Sequence, residues 1–252
     1  MNILVTNDDG IFADGIYALR QELLELGDVI VIAPETEQSA VGHAITLLTP
    51  LRTDDVFRHG EFFGYAVNGT PADCVKLGVH SILDRPPDLI VSGVNLGSNL
   101  GTSVIYSGTV SAATEGTILG IPSIAVSLAT FENPDFSFAA RFACRLARIV
   151  VERGLPHGTL LNVNVPAVPE DQIQGVEVTY HSASRYEDVF ERRLDPRHKV
   201  YYWQAGLEQT LDLRDGSDAA AVRRNSVSIT PIHFDMTNYD AMSLVRNWTI
   251  NL

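Results

Sequence analysis

Cationic side chains are scarce in this chain of 252 residues: 18 Lys and Arg face 31 Asp and Glu, a formal net charge of −13. A nucleic-acid groove or an anionic membrane surface needs a basic patch, so neither a nucleic-acid polymer nor a membrane is expected as a partner. Cysteine is rarer still. Cys74 and Cys144 cannot build a metal knuckle and read as buried apolar filler. No apolar run is long enough to span a bilayer, and strand-forming residues begin at Asn2 without a charged leader, so a cytoplasmic, reduced protein is expected. Two phosphate-binding signatures are also missing. Without G-x-x-x-x-G-K-[ST] a P-loop NTPase is disfavoured, and without G-x-G-x-x-G after the first apolar run so is a dinucleotide redox enzyme.

Hydrophobic residues, at 45% against 19% charged, leave ample material for a buried sheet, and the length suits one domain over residues 1–252. Strand and helix patterns alternate. Asn2 to Thr6 and Asp28 to Ala33 are apolar runs of the kind buried on both faces of a parallel sheet. Between them Ile16 to Leu26 has apolar residues at helical spacing and stops at Gly27. Ala44 to Leu51 and Phe62 to Val67 read as extended; Pro71 to Leu83 reads as a helix with Thr70 as its N-cap. Strands at Asp88–Ser92, Ser123–Leu128 and Thr159–Val165 alternate with helices at Thr109–Leu119 and Phe136–Arg153. This order predicts an α/β fold with a Rossmann-like, mostly parallel, doubly wound sheet. After Pro166 the texture changes. Strands at Val176–Tyr180 and Lys199–Trp203 flank a charged stretch, predicting a protruding hairpin arm at about 176–205 for oligomerisation. A short helix at Asp218–Val222 and a strand at Val227–Ile232 follow.

The chemistry-bearing residues lie in loops after the strands. Asn7-Asp8-Asp9-Gly10 follows the first, and Gln38-Ser39-Ala40-Val41-Gly42 lies beyond the second. Asn68 to Asp73 forms the third loop, and Ser92 to Ser103 the fourth, running on to Tyr106-Ser107-Gly108-Thr109. In a doubly wound sheet such loops converge on one edge, where ligands bind. Two adjacent carboxylates repel unless a cation lies between them. Oxygen and amide donors without His or Cys partners specify a hard divalent ion rather than zinc. Ser107-Gly108-Thr109, at a helix start, suits phosphate oxygens through free N–H groups and hydroxyls, although plain helix capping gives the same pattern. Asn68 and Thr70 read as turn and cap residues before nucleoside contacts. His233 and Asp235 read as structural, His157 and His181 carry no signal, and Arg141, Arg145 and Arg148 form a solvated helix face.

Asn7 to Gly10, Ala33-Pro34…Ser39…Gly42, Asn68 to Val75, Pro87 to Gly97 and Tyr106 to Ala113 together resemble the signature blocks of the SurE family of 5'/3'-nucleotidases. Leu161 to Pro166 and Ser226 to Pro231 extend the likeness over nearly the whole chain. The resemblance implies a metal-dependent phosphomonoesterase acting on nucleoside monophosphates, with Asp8, Asp9, Ser39 and Asn95 as ligands of one divalent ion, Mg²⁺ or Mn²⁺, per subunit. It further implies a Rossmann-like fold and a C-terminal hairpin exchanged in a homodimer or homotetramer. His43, Ala44 and Asn225 stand where relatives differ; none touches the metal blocks, and His43 is the one expected to alter the pocket rim.

The expected reaction is metal-assisted attack by water. Asp8 and Asp9 are the catalytic candidates, and Asn95, Ser107, Gly108 and Thr109 the phosphate-side ones. An aspartyl-phosphate route is disfavoured because the carboxylates are adjacent rather than spaced as D-x-D-x-T. A short-chain exopolyphosphatase and a nucleotide-sensing module without turnover are the alternatives, and substrate assays discriminate between them.

Overall fold

A computed structural model describes residues 1–186, 189–204 and 209–249. The first half runs β1 (Asn2–Thr6), α1 (Asp14–Leu23), β2 (Asp28–Pro34), β3 (Thr53–Arg58), β4 (Glu61–Val67), α2 (Pro71–Leu77), β5 (Leu89–Leu96) and α3 (Gly108–Ile118). Then come β6 (Ser123–Ala129), α4 (Ser137–Arg153), β7 (Thr159–Pro166), β8 (Gly175–Val178), β9 (Arg185–Tyr186), β10 (Phe190–Leu194) and β11 (Val200–Gln204). β12 (Gln209–Thr210), α5 (Asp218–Arg223), β13 (Ser226–His233) and α6 (Tyr239–Arg246) complete the order.

The main sheet has nine strands in the order β3-β4-β2-β1-β5-β6-β7-β13-β8. From β4 to β7 every neighbour is parallel, as expected for near-continuous runs such as Ile3–Val5 and Leu89–Val91, buried on both faces. β3 and β13 join antiparallel at either end of that block, and β8 pairs parallel with β13. Two apolar layers cover the sheet. α1 presents Ile16, Leu19 and Leu23 at helical spacing, and α4 presents Ala139, Ala140, Ala143 and Ala147, so both bury one stripe on the same face. α2 and α3 cover the opposite face through Cys74, Val75 and Ala112, against Leu4, Ile32 and Ile90.

The order in which strands are added across the sheet reverses at β1, since β2 lies on one side and β5 on the other. The crevice beyond the carboxyl ends of β1 and β5 is therefore the place where this architecture receives ligands.

Two sequence expectations are corrected. Ala44–Leu51 forms no strand: its apolar residues suggest one, but Leu47 and Leu48 point to solvent, and the edge strand is Thr53–Arg58, where Val56 is buried. Val176–Tyr180 is not one side of the arm either. Gly175–Val178 extends the main sheet, and the hairpin is β10 paired antiparallel with β11, Phe190 opposite Gln204 and Leu194 opposite Val200.

Candidate functional site

The turn after β1 is closed by Asn7, whose Nδ2 donates to Gly10 O at 2.9 Å, while Ile11 N donates to Pro34 O at 2.8 Å. Asp8 is thereby directed into the fold, only 4% exposed, while Asp9 stays half-buried. The Asp8 carboxylate rests on the first turn of α3. It accepts the Thr109 hydroxyl, and the backbone N–H groups of Gly108 and Thr109 also favour its ionised form. Gly108 permits this approach, because a Cβ there would lie 2.7 Å from Asp8 Cβ and 3.0 Å from its Oδ2.

β5 supplies the opposite wall. Its register shifts between Ser92 and Asn95, and Leu96 N donates to Asp9 Oδ2 at 3.1 Å. Asn95 Nδ2 donates to Gly97 O at 2.7 Å, which leaves Oδ1 on the side of Thr109 Oγ1, 3.4 Å away. Asp8, Asp9, Asn95 and Thr109 are thus brought together. The loop after β2 reaches the same corner, with Gln38 N donating to Asp8 O at 2.7 Å. Ser39 in that loop is exposed, and its hydroxyl donates to Glu37 Oε1 at 2.6 Å rather than to Asp8, Asp9 or Asn95.

Electrostatically the corner is short of positive charge. Burial pushes the Asp8 carboxyl up, against the pull of Thr109 and the α3 amides. Asp9 is pushed up to about 7, first by burial and then by the charge of Asp8, with Glu37 adding to the rise and the Leu96 N–H opposing it. A cation between the pair reverses both tendencies. The donors are all oxygen, and among the described residues no three His, Cys, Asp or Glu side chains gather as a metal cluster. That donor set fits a hard divalent ion and not a zinc-type site.

The residues expected on the phosphate side occupy positions that their order in the sequence does not reveal. Ser107 caps α3, its Oγ accepting from Val110 N at 3.1 Å, and its own hydroxyl proton remains available. Thr109 is fully buried and gives its proton to Asp8, so it supports the carboxylate rather than presenting a free hydroxyl. Thr70 caps α2 reciprocally with Asp73, and Asn68 Oδ1 accepts from Arg52 N at 2.7 Å, both turn-and-cap roles. His233 and Asp235 form a local exposed turn, while Arg141 pairs with Glu170. A cavity of about 300 Å³ between Phe138, Arg141, Val165 and Glu170 contains none of the candidate residues. Sequence reading also passes over Glu115, hidden among the small residues of α3; its carboxylate lies 2.8 Å from His43 Nε2 and 2.9 Å from Lys76 Nζ.

Comparison with known proteins gives one answer. The family described as Survival protein SurE matches residues 3–188. The chain is 52% identical to the 5'-nucleotidase SurE of Syntrophobacter fumaroxidans, over 99% of this chain and 100% of that one. It is 54% identical to the 5'-nucleotidase SurE of Moorella thermoacetica, over 95% and 92% of the two chains. The crystal structure of the SurE protein from Aquifex aeolicus superposes with a TM-score of 0.85 at 42% identity, covering 98% of each chain.

Proposed function

The chain belongs to the SurE family, and from that premise and the carboxylate corner we infer that it is a metal-dependent 5'-nucleotidase, a hydrolase of nucleoside monophosphates. The observation carrying the mechanism is the pair of adjacent, desolvated carboxylates at the crevice between β1 and β5, set against the start of α3. Asp8, Asp9, Asn95 and Ser39 would hold one Mg²⁺ or Mn²⁺ per subunit. When bound, that ion supplies charge to the phosphoryl oxygens and acidifies a water.

The chain's own groups are arranged for this. Thr109 and the α3 amides fix one side of Asp8, and the bond to Gly97 fixes the Asn95 amide. Ser39 donates its proton to Glu37 and so keeps lone pairs for a cation. Ser107, Gly108 and Asn95 lie on the phosphate side, where the Ser107 proton can reach an equatorial oxygen as charge develops. Water is the attacking group, because Asp8 is engaged by Thr109 and α3; a phosphorylated Asp8 or Asp9 trapped by rapid quench overturns this.

We assign residues 1–252 to one domain, with an arm built on the β10–β11 hairpin whose exposed Phe190, Leu194, Tyr202 and Trp203 suit pairing with a second copy in a homodimer or homotetramer. Unpaired, buried Cys74 and Cys144 accord with a cytoplasmic enzyme. The test is hydrolysis of nucleoside monophosphates and short polyphosphates with Mg²⁺ or Mn²⁺, with chelator, and with Asp8→Asn. Monophosphate turnover abolished by chelation and by the substitution supports the reading; turnover surviving both overturns it.

A further inference from the structure

The segment from residue 35 to 52 has neither helix nor strand, yet backbone anchors hold it, four of them between residues 38 and 46. Gln38 N donates to Asp8 O at 2.7 Å, Gly42 N to Tyr106 O at 3.0 Å and Thr46 N to Asp73 Oδ1 at 2.9 Å, while Ala44 O accepts from Thr70 Oγ1 at 2.7 Å. A side chain makes a further tie. His43 Nε2 meets Glu115 Oε2 at 2.8 Å, and Lys76 Nζ meets Oε1 at 2.9 Å. Burial alone would raise the Glu115 carboxyl, but His43 and Lys76 hold it below its usual range. An ionised carboxylate only accepts, so His43 Nε2 carries the proton of that bond. Between Ser39 and His43, Ala40 sits at φ +57°, a left-handed conformation that a side-chain-bearing residue keeps only where its surroundings impose it.

We propose that His43 is a positioning residue for the cation site, acting through Glu115 to set the Ser39 loop against Asp8 and Asp9. The first turn of α3 grips Asp8, and Glu115 two turns later on the same helix grips the loop that carries Ser39. One rigid helix thus sets the spacing between two oxygen donors that are far apart in sequence. The inference rests on Asp8, Asp9, Ser39 and Asn95 being the cation ligands. The competing explanation is that Glu115 merely neutralises Lys76, in which case losing Lys76 is at least as damaging to the site as losing His43.

The test is Mn²⁺ titration of the full-length protein by calorimetry, with limited proteolysis of the metal-free protein and a melting curve for each variant. His43→Ala should weaken Mn²⁺ on the order of tenfold, the usual scale for losing a residue that orients a ligand. It should also open the 38–48 loop to protease, with a modest fall in melting temperature because the buried Glu115 carboxylate loses one of its two partners. His43→Gln, which restores an N–H donor, should recover most of the affinity. Lys76→Met should lower the melting temperature and leave Mn²⁺ affinity unchanged. His43→Ala binding Mn²⁺ like the wild type, or Lys76→Met weakening it equally, overturns the tether while the metal site stands. Failure of the wild type itself to bind Mn²⁺ overturns the metal reading, and the tether with it.

Discussion

Thr109 has no exposed surface, and its single hydroxyl proton goes to a carboxylate that burial already destabilises. Thr109→Val keeps the shape and leaves Asp8 short of a donor, so folding stability should fall by roughly 1–3 kcal/mol in urea titrations. Nucleotidase activity should drop about tenfold or more, as when a ligand loses its orienting partner. Thr109→Ser, which retains the hydroxyl, should behave nearly as wild type in both measurements. Much of this corner was legible from residues alone. The adjacency of Asp8 and Asp9 at a strand end is local and so is readable in the sequence, and the structure brings Asn95 and Thr109 to it. The destination of the Thr109 proton was not legible, since a hydroxyl at a helix start serves a cap, a ligand or a neighbouring carboxylate equally well. Asn225 shows the reverse case. It adopts φ +59°, the conformation glycine would take most easily.

The helix α3 is rich in small residues, and packing explains its composition. Gly116 lies so close to the sheet that a Cβ would fall 2.4 Å from Ser123 Oγ and 2.7 Å from Ile90 Cδ1. Alanine gains about 1 kcal/mol of helix propensity over glycine, but overpacking a filled site costs roughly 1–3 kcal/mol. Gly116→Ala should therefore be net destabilising, read as a lower urea midpoint at unchanged slope. Thr159–Pro166 and Ser137–Arg153 lie near their expected limits, whereas the helix expected over Pro71–Leu83 is α-helical only to Leu77 and continues as a π-turn over Gly78–Ile82. The misreading at Ala44–Leu51 has a physical cause. That segment is apolar enough for a strand, but its backbone bonds go to Thr70 and Asp73 at the start of α2 rather than to a sheet neighbour, and only tertiary structure reveals this.

Over the whole molecule one buried carboxylate joins parts that the sequence keeps far apart. Asp218 accepts from Gly101 N at 2.8 Å, Ser182 N at 2.9 Å and Ala219 N at 2.7 Å, with His181 Nδ1 at 3.2 Å. It thus ties the loop after β5 to the segment leading into the hairpin. Burial alone would raise this carboxyl, but His181 and the amides of Gly101 and Ser182 hold it below its usual range. A depressed folded-state value means the contribution is full above the unfolded value of about 3.9 and is lost as pH falls through the folded one. Asp218→Asn should therefore cost about 2–3 kcal/mol at neutral pH, and the gap to wild type should narrow steadily in acid, followed by urea unfolding across a pH series.

The two thiols lie in different layers of this architecture: Cys74 under α2 on one face, and Cys144 on α4 on the other. Burial pushes both up from ordinary thiol acidity, so neither presents a thiolate to solvent. A maleimide reagent should leave both unmodified in the native enzyme, and each alkylation rate, resolved by peptide mass spectrometry, then times the opening of its own layer. The chain carries two built-in clocks, one for each side of its sheet.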